Sequence, residues 1–311
     1  MAWGDGAADG QNGMRPQMTG LRMILATMAL VAFVSTSLGA VQRFEKPHFR
    51  ASSPSSATEA KQSPHADTSR VALVIGNFNY PDADTPLAQT GNDAYALASA
   101  LRKDGFDVDL VQNATRNDMQ RAIERLEAKV RHDSIVMIYF GGYAVHSGGQ
   151  NYLIPVDAGI WDEQDVRHVG IGADWLLSGL KNSGAHVRLA VIDASRRNPY
   201  ERRFRSYSHG LAPFRADQNA LILTSEPPGT VADDPDGSHS PLITALLHEM
   251  GSSTRSVGEI FERTRLAVTL TTQDRQHPTV SSSLTDDVKL GSAPANATVS
   301  SGQNKSVDRR G

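Results

Sequence analysis

The sequence predicts an α/β domain with a mostly parallel central sheet and helices on both faces. Three observations carry this. Short, continuous apolar runs rich in β-branched residues recur along the chain, stretches of helical period separate them, and Gly, Asn or Asp closes most of them. A strand covered on both faces loses the apolar–polar alternation of a half-exposed one, and parallel neighbours need a crossover between them, usually a helix.

Arg70 to Gly76 (RVALVIG) is the first such run, ended by Gly76 and Asn77. Asn92 and Asp93 stand before Ala94, Leu97, Ala98 and Leu101, the i, i+3, i+4, i+7 spacing of one helix face. The pair therefore reads as the cap of a helix that Gly105 closes. Phe106 to Val111 alternates as a second strand. Thr115 caps a longer helix whose inner face is Met119, Ala122, Ile123, Leu126 and Val130. Ile135 to Phe140 (IVMIYF) is the third strand, apolar throughout. A helix over Ala173 to Leu180 precedes the fourth strand, Val187 to Ile192, and Leu221 to Thr224 is a shorter fifth. Two helices finish the domain, Pro241 to Met250 and Ser256 to Val268. The second opens with the capping box Ser256-x-x-Glu259. In such sheets the chemistry sits beyond the carboxyl ends of the strands, which directs attention to the loops after Gly76, Phe140 and Ile192.

The flanks read differently. Arg15 and Arg22 precede an uncharged run from Met23 to Gln42, with MILATMALVAFV followed by the small-residue segment STSLGA. Residues 1–42 are thus a signal peptide cleaved near Gly39 or Ala40, or an uncleaved membrane anchor long enough to span a bilayer. A buried core helix is the third reading, weakened by the lack of a polar face. Residues 43–69 and 292–311 are rich in small and polar residues with little to bury, and read as a disordered linker and tail. Residues 70–291 are then the folded domain. Both export readings place it outside the cytoplasm, periplasmic or held at the inner membrane.

Composition removes several function classes. There is no cysteine, which excludes disulfides, thiolate nucleophiles and cysteine-ligated zinc together. No histidine pair has the i, i+4 spacing of a helical HExxH site, which argues against a metal enzyme, and no cofactor is expected. The loop IGNFNYPDADTPL has no GxGxxG, and no GxxxxGK[ST] occurs, which leaves a nucleotide site without support. A formal net charge of −3 gives no global basic field for nucleic acid. The local cluster Arg196, Arg197, Arg202, Arg203 and Arg205, interleaved only by Tyr200, Phe204 and Tyr207, reads as a solvated loop or a site for an acidic partner. Asp233, Asp234 and Asp236 with Gly237 resemble a calcium loop only weakly, lacking the twelve-residue ligand pattern. Trp161 and Trp175 read as core or surface-anchoring residues.

Two strand ends carry a resemblance. The third strand runs into YFGGYAVHSGGQNYLIPVD (139–157) and the fourth into IDASRRNPYERRF (192–204). These segments resemble the caspase-like domain of bacterial metacaspase relatives, in which a YAGHG motif holds the catalytic histidine, an NYLIPVD-like segment follows, and DACRNNPF holds the nucleophilic cysteine. RVALVIGN, the NDA before the first helix, GLAP at 210–213 and SSSL at 281–284 fit the same pattern, so the similarity spans about 70–285. It implies a caspase-like three-layer sandwich and a cysteine endopeptidase. The histidine position falls on Tyr143 and the cysteine position on Ser195, and both are substituted. Asp193 matches the acid that helps form a pocket for a basic P1 side chain. Without the family as guide, Asp193 reads equally as a loop cap or a partner of Arg196 or Arg197.

The substitutions strike the chemistry. A serine hydroxyl is a weak nucleophile unless a base activates it, and tyrosine, with a reference pKa of about 10, is a poor base at neutral pH. Losing a nucleophile–base pair costs on the order of a million-fold in serine proteases. The sequence therefore points to an inactive pseudopeptidase that binds a peptide or protein ligand, with a basic residue suiting Asp193. An alternative is a rebuilt hydrolase using Ser195 with a recruited histidine such as His146, although no GxSxG elbow surrounds Ser195. A third reading is a structural envelope protein attached to the membrane by its N-terminal segment. Pairing of two copies edge to edge, as caspases pair, is left open.

Overall fold

The computed structural model describes residues 69–83, 86–204, 210–232, 237–252 and 254–291. Residues 1–42, expected as a signal peptide or anchor, residues 43–68 of the expected linker, the expected tail 292–311, Arg205, Tyr207 and the acidic run Asp233, Asp234 and Asp236 lie outside the described residues. Among those described, no helix is long and apolar enough to cross a membrane.

The chain alternates as its apolar runs dictate. β1 (Arg70–Gly76) is followed by α1 (Ala88–Lys103), β2 (Asp107–Gln112), α2 (Arg116–Lys129) and β3 (Ile135–Gly141). A short hairpin comes next, β4 (Ala144–Ser147) and β5 (Gln150–Leu153), then α3 (Glu163–Val169), β6 (Ile171–Gly172) and α4 (Ala173–Asn182). β7 (Val187–Asp193), β8 (Ala220–Thr224), α5 (Pro241–Met250), α6 (Val257–Thr271) and β9 (Thr279–Ser282) complete it. The main sheet has the order β2-β1-β3-β7-β8-β9, with the first five strands parallel and β9 antiparallel at the edge. β4, β5 and β6 form a separate small antiparallel sheet.

Side-chain alternation makes the three layers. Val136, Ile138 and Phe140 of β3 point into a core shared with α2 and α4. Met137 and Tyr139, one residue out of step, point into the core shared with α1, α5 and α6. Each fully buried Leu, Ile or Phe contributes about 2 kcal/mol, so both faces hold the sheet. β1 lies between β2 and β3, so the strand order reverses there and a crevice opens at the carboxyl ends of β1 and β3.

Helix boundaries follow the sequence signals with one correction. Thr115, Ser240 and Ser256 each accept a bond from a backbone N–H of their own first turn, and α2 and α6 have full capping boxes. Gly105, at φ +86°, follows α1 in the left-handed region. Asn92 and Asp93 do not cap α1, which begins four residues earlier after Leu87 with no side-chain cap. The reason lies in α5. Asp93 turns inward and accepts from Ser240 N (3.1 Å) at the start of that helix, while Asn92 donates to Ser238 O (3.0 Å). Both side chains are spent on a neighbouring element rather than their own.

Candidate functional site

Parallel register places the two substituted positions at one edge. Gly76 of β1 pairs with Gly141 of β3, and Gly141 pairs with Asp193 of β7. Tyr143 and Ser195 each follow these paired ends by two residues. The loops are tied there: Asn77 N donates to Gly141 O (2.9 Å) and Gly142 N to Asp193 O (3.4 Å). Gly142 has φ +154°, and a Cβ on it would lie 2.5 Å from Tyr80 Oη, so only glycine fits.

Tyr143 is built into a wall. Its ring meets that of Tyr80 edge-on, centroids 4.8 Å apart at 67°. The Tyr80 hydroxyl accepts from Tyr143 N (3.1 Å) and donates to Ile154 O (2.8 Å), while Ile154 N donates to Tyr143 O (3.0 Å). Leu87, Val145, Ile160, Val166 and Tyr200 complete this small core. Desolvation pushes the Tyr80 hydroxyl well above its ordinary pKa. Position 143 thus serves packing.

Ser195 is 1% exposed, and its Oγ has no hydrogen-bond partner. Its amide donates to Ser225 Oγ (3.3 Å) and its carbonyl accepts from Ala232 N (2.7 Å). An acyl-transfer nucleophile needs a base on its side-chain atom and often offers its own amide to the oxyanion. Here the base is missing and the amide is engaged by Ser225. His146, half-buried on β4 opposite Asn151, makes no hydrogen bond to Ser195.

Beside Ser195 the strand ends bury a packed acidic cluster. Asp193 is buried, with Oδ2 3.6 Å from Arg196 Nη2 and no hydrogen bond of its own. Arg196 Nη1 donates to Gly142 O (3.3 Å) and to the Asp193 carbonyl. Of the sequence alternatives for Asp193, pairing with Arg196 is therefore present. Asp93 is fully buried and lies 2.8 Å from His239 Nδ1. Burial, and after it the negative charge of Asp193, pushes the Asp93 carboxyl up to about 6, against the lowering effect of His239 and Ser240. Tyr139 Oη and Thr90 Oγ1 are buried there without hydrogen-bond partners, and both side chains crowd Gly141, whose Cβ would lie within 2.7 Å of each. Sequence reasoning missed the Asp93–His239 pair. The signal was present: Asp93, Leu97 and Leu101 repeat every four residues, which puts a carboxylate on the buried face of α1.

The basic cluster is not one solvated loop. Arg196 is 6% exposed and held against Asp193, while Arg203 is half-buried and paired with Asp82 (3.2 Å). Arg197 and Arg202 are exposed. Asp193 and the Gly142 carbonyl draw Arg196 inward, while Asp82 and the Ile160 carbonyl hold Arg203. Neither Trp161 nor Trp175 belongs to the core, since they are 76% and 59% exposed. Among the described residues no three His, Asp or Glu side chains converge as a metal site requires.

A search of curated proteins finds no match to the chain. A family model does match. The Caspase domain model covers residues 69–289, from the start of β1 to beyond β9, and takes in both strand ends described above. With that match over most of its length, and with the mostly parallel sheet and flanking helices in place, the chain belongs to the caspase-domain family.

Proposed function

We propose that this caspase-family domain is a pseudopeptidase, a module that binds a peptide or protein segment without cleaving it, and that its N-terminal segment places it outside the cytoplasm. One observation carries the reading. The two positions that would supply base and nucleophile hold a tyrosine packed into an aromatic wall and a buried serine whose Oγ contacts no base. Without a thiolate or an activated hydroxyl, the inherited acyl transfer has neither attacking atom nor proton acceptor.

The buried acidic cluster beside the strand ends supports a ligand with a basic residue. Asp93 and Asp193 supply negative charge, and Asp193 Oδ2, Thr90 Oγ1 and Tyr139 Oη can each accept a bond they lack. A lysine ammonium or an arginine guanidinium brings donors and the matching charge together. His239, about one-third exposed, is the part of this cluster that solvent reaches.

The test uses the full-length chain, wild type beside Ser195→Ala, with fluorogenic peptides carrying Arg, Lys or Asp at P1. No turnover by either protein is expected, together with binding of the Arg or Lys peptide that Asp193→Asn weakens. Turnover by the wild type that disappears in Ser195→Ala would overturn the reading and make Ser195 a rebuilt nucleophile.

A further inference from the structure

Between α5 and α6 lies a cavity of about 610 Å³, a volume in the range of small-ligand sites. Pro241 and Ala245 line it from α5, and Ala267 and Thr271 from α6, each pair one helical turn apart on the same face of its helix. Thr272, Arg275 and Gln276, which follow α6, and His239, which precedes α5, complete this part of the lining.

The charges of the lining decide what it takes. Glu249 lines the cavity but is buried and saturated. It accepts from Arg255 Nη1 and Arg263 Nε at 2.8 Å each and lies 3.3 Å from His248 Nδ1, so two guanidiniums outside the lining answer its charge. The Nδ1 of His239 is taken by Asp93 (2.8 Å), which leaves Nε2 as the ring atom to meet a ligand. Arg275 differs. Its Nε donates to Thr272 O (3.0 Å), and it makes no ion pair among the described residues. The unanswered charge of the lining is therefore positive and sits on the two Nη groups of Arg275.

Apolar wall and guanidinium are within reach of one small ligand. The bond to Thr272 O fixes Arg275 at the end of α6, and Thr272 is five residues, about 7.5 Å of helical rise, from Ala267. Two Nη groups side by side match the two oxygens of a carboxylate. A phosphate monoester carries close to two negative charges, and no second guanidinium lines the cavity to meet them. A cation would meet Arg275 and find Glu249 already engaged.

We infer that the α5–α6 cavity binds a small carboxylic acid, its carboxylate on Arg275 and its apolar body against Pro241, Ala245 and Ala267. His239 and Gln276 offer further hydrogen-bonding groups in the same space. The acid can be a free molecule or the end of a peptide chain, since both present the same group.

Saturation-transfer difference NMR on the full-length chain at neutral pH tests this directly. The probes are hexanoate and benzoate, their neutral amides, and N-acetyl-alanyl-phenylalanine with a free carboxylate. Transfer to at least one carboxylate probe, and far less to the amides, is expected. Transfer to hexanoate or benzoate assigns a free acid, and transfer to the dipeptide alone assigns a chain end. Arg275→Gln should weaken binding about tenfold, and Ala267→Phe, which fills the space, should abolish it. Arg121→Gln, on α2 across the sheet, should leave it unchanged. Arg275 is exposed and Ala267 half-buried, and circular dichroism checks that each variant folds. Absence of transfer to every carboxylate, equal transfer to the amides, or binding that survives Arg275→Gln or Ala267→Phe would overturn the inference. The probes carry no basic group, so failure here is distinguishable from failure of the basic-peptide reading at Asp193.

Discussion

Replacing Asp93 with Asn should change how stability depends on pH, and the size of the change follows from the structure. Asp93 is buried on α1, faces the Asp193 carboxylate, and has its carboxyl pushed from 3.8 up to about 6. A group that binds its proton more tightly in the native state stabilises it fully below the unfolded pKa and loses that contribution as pH rises through the folded one. The difference of about two pH units, at 1.36 kcal/mol each, amounts to about 3 kcal/mol between pH 4 and pH 8. Asn keeps an acceptor for Ser240 N and removes the ionisation, so packing changes that do not vary with pH cancel in the comparison. Urea denaturation of wild type and Asp93→Asn at a series of pH values gives the difference directly. The variant should gain on the wild type by about 3 kcal/mol from pH 4 to pH 8, most of it from pH 4 to 6 and levelling off above pH 6. A flat difference would refute the reasoning. A difference of opposite slope would mean that His239 and Ser240 hold Asp93 ionised, outweighing burial.

Two further outcomes rest on other buried groups. Ser195→Ala removes a hydroxyl that is buried without a partner and should raise stability by about 1 kcal/mol, measured by denaturant midpoint. An activated nucleophile in a working network would give a loss instead. Glu249 of α5, also buried, accepts from Arg263 Nε and Arg255 Nη1 at 2.8 Å each, and the Arg263 bond foremost holds its carboxyl below the usual carboxylate range. Its contribution is present above the unfolded pKa and lost as pH falls through the lowered one. Glu249→Gln should therefore be least stable, relative to wild type, at neutral pH, with the gap narrowing below pH 4 in thermal scans.

The layers of this fold were legible because they rest on period and burial. IVMIYF and VRLAVI can only be strands covered on both sides, and the helices between them force parallel pairing. The small sheet was harder to see. Gly148 and Gly149, at φ +57° and +80°, make a two-residue turn of the kind that joins hairpin strands, yet AVHS and QNYL are too short to show a period. β9 and α3 escaped for the same reason. At the site, the positions of Tyr143 and Ser195 came from motif order, but their state did not. Tyr80 braces Tyr143, and Ser225, thirty residues on, engages the Ser195 amide, through contacts that only the folded chain brings together. Asp93 was misread because a cap and a buried carboxylate look alike when Asp precedes a helical stripe.

The buried acidic cluster bears on why a domain without the dyad would keep its strand ends polar. Tyr139 lies on the α1 face of the sheet among Leu97, Leu189 and Leu246, where phenylalanine would pack as well, yet it buries a hydroxyl with no partner. Leaving such a group unsatisfied costs about 1–3 kcal/mol, so Tyr139→Phe should stabilise the protein by about 1 kcal/mol or more in urea denaturation. If the domain served only as a shaped scaffold, the same change would have no other effect. If this acidic cluster takes a basic side chain, the Tyr139 hydroxyl gains its acceptor role only when the ligand is bound, and Tyr139→Phe should weaken binding of an Arg or Lys peptide by about tenfold while raising stability. Calorimetric titration beside the denaturation curve separates the two. Higher stability with unchanged affinity would remove Tyr139 from the ligand site, whereas higher stability with lower affinity is the trade expected of a polar group kept for binding.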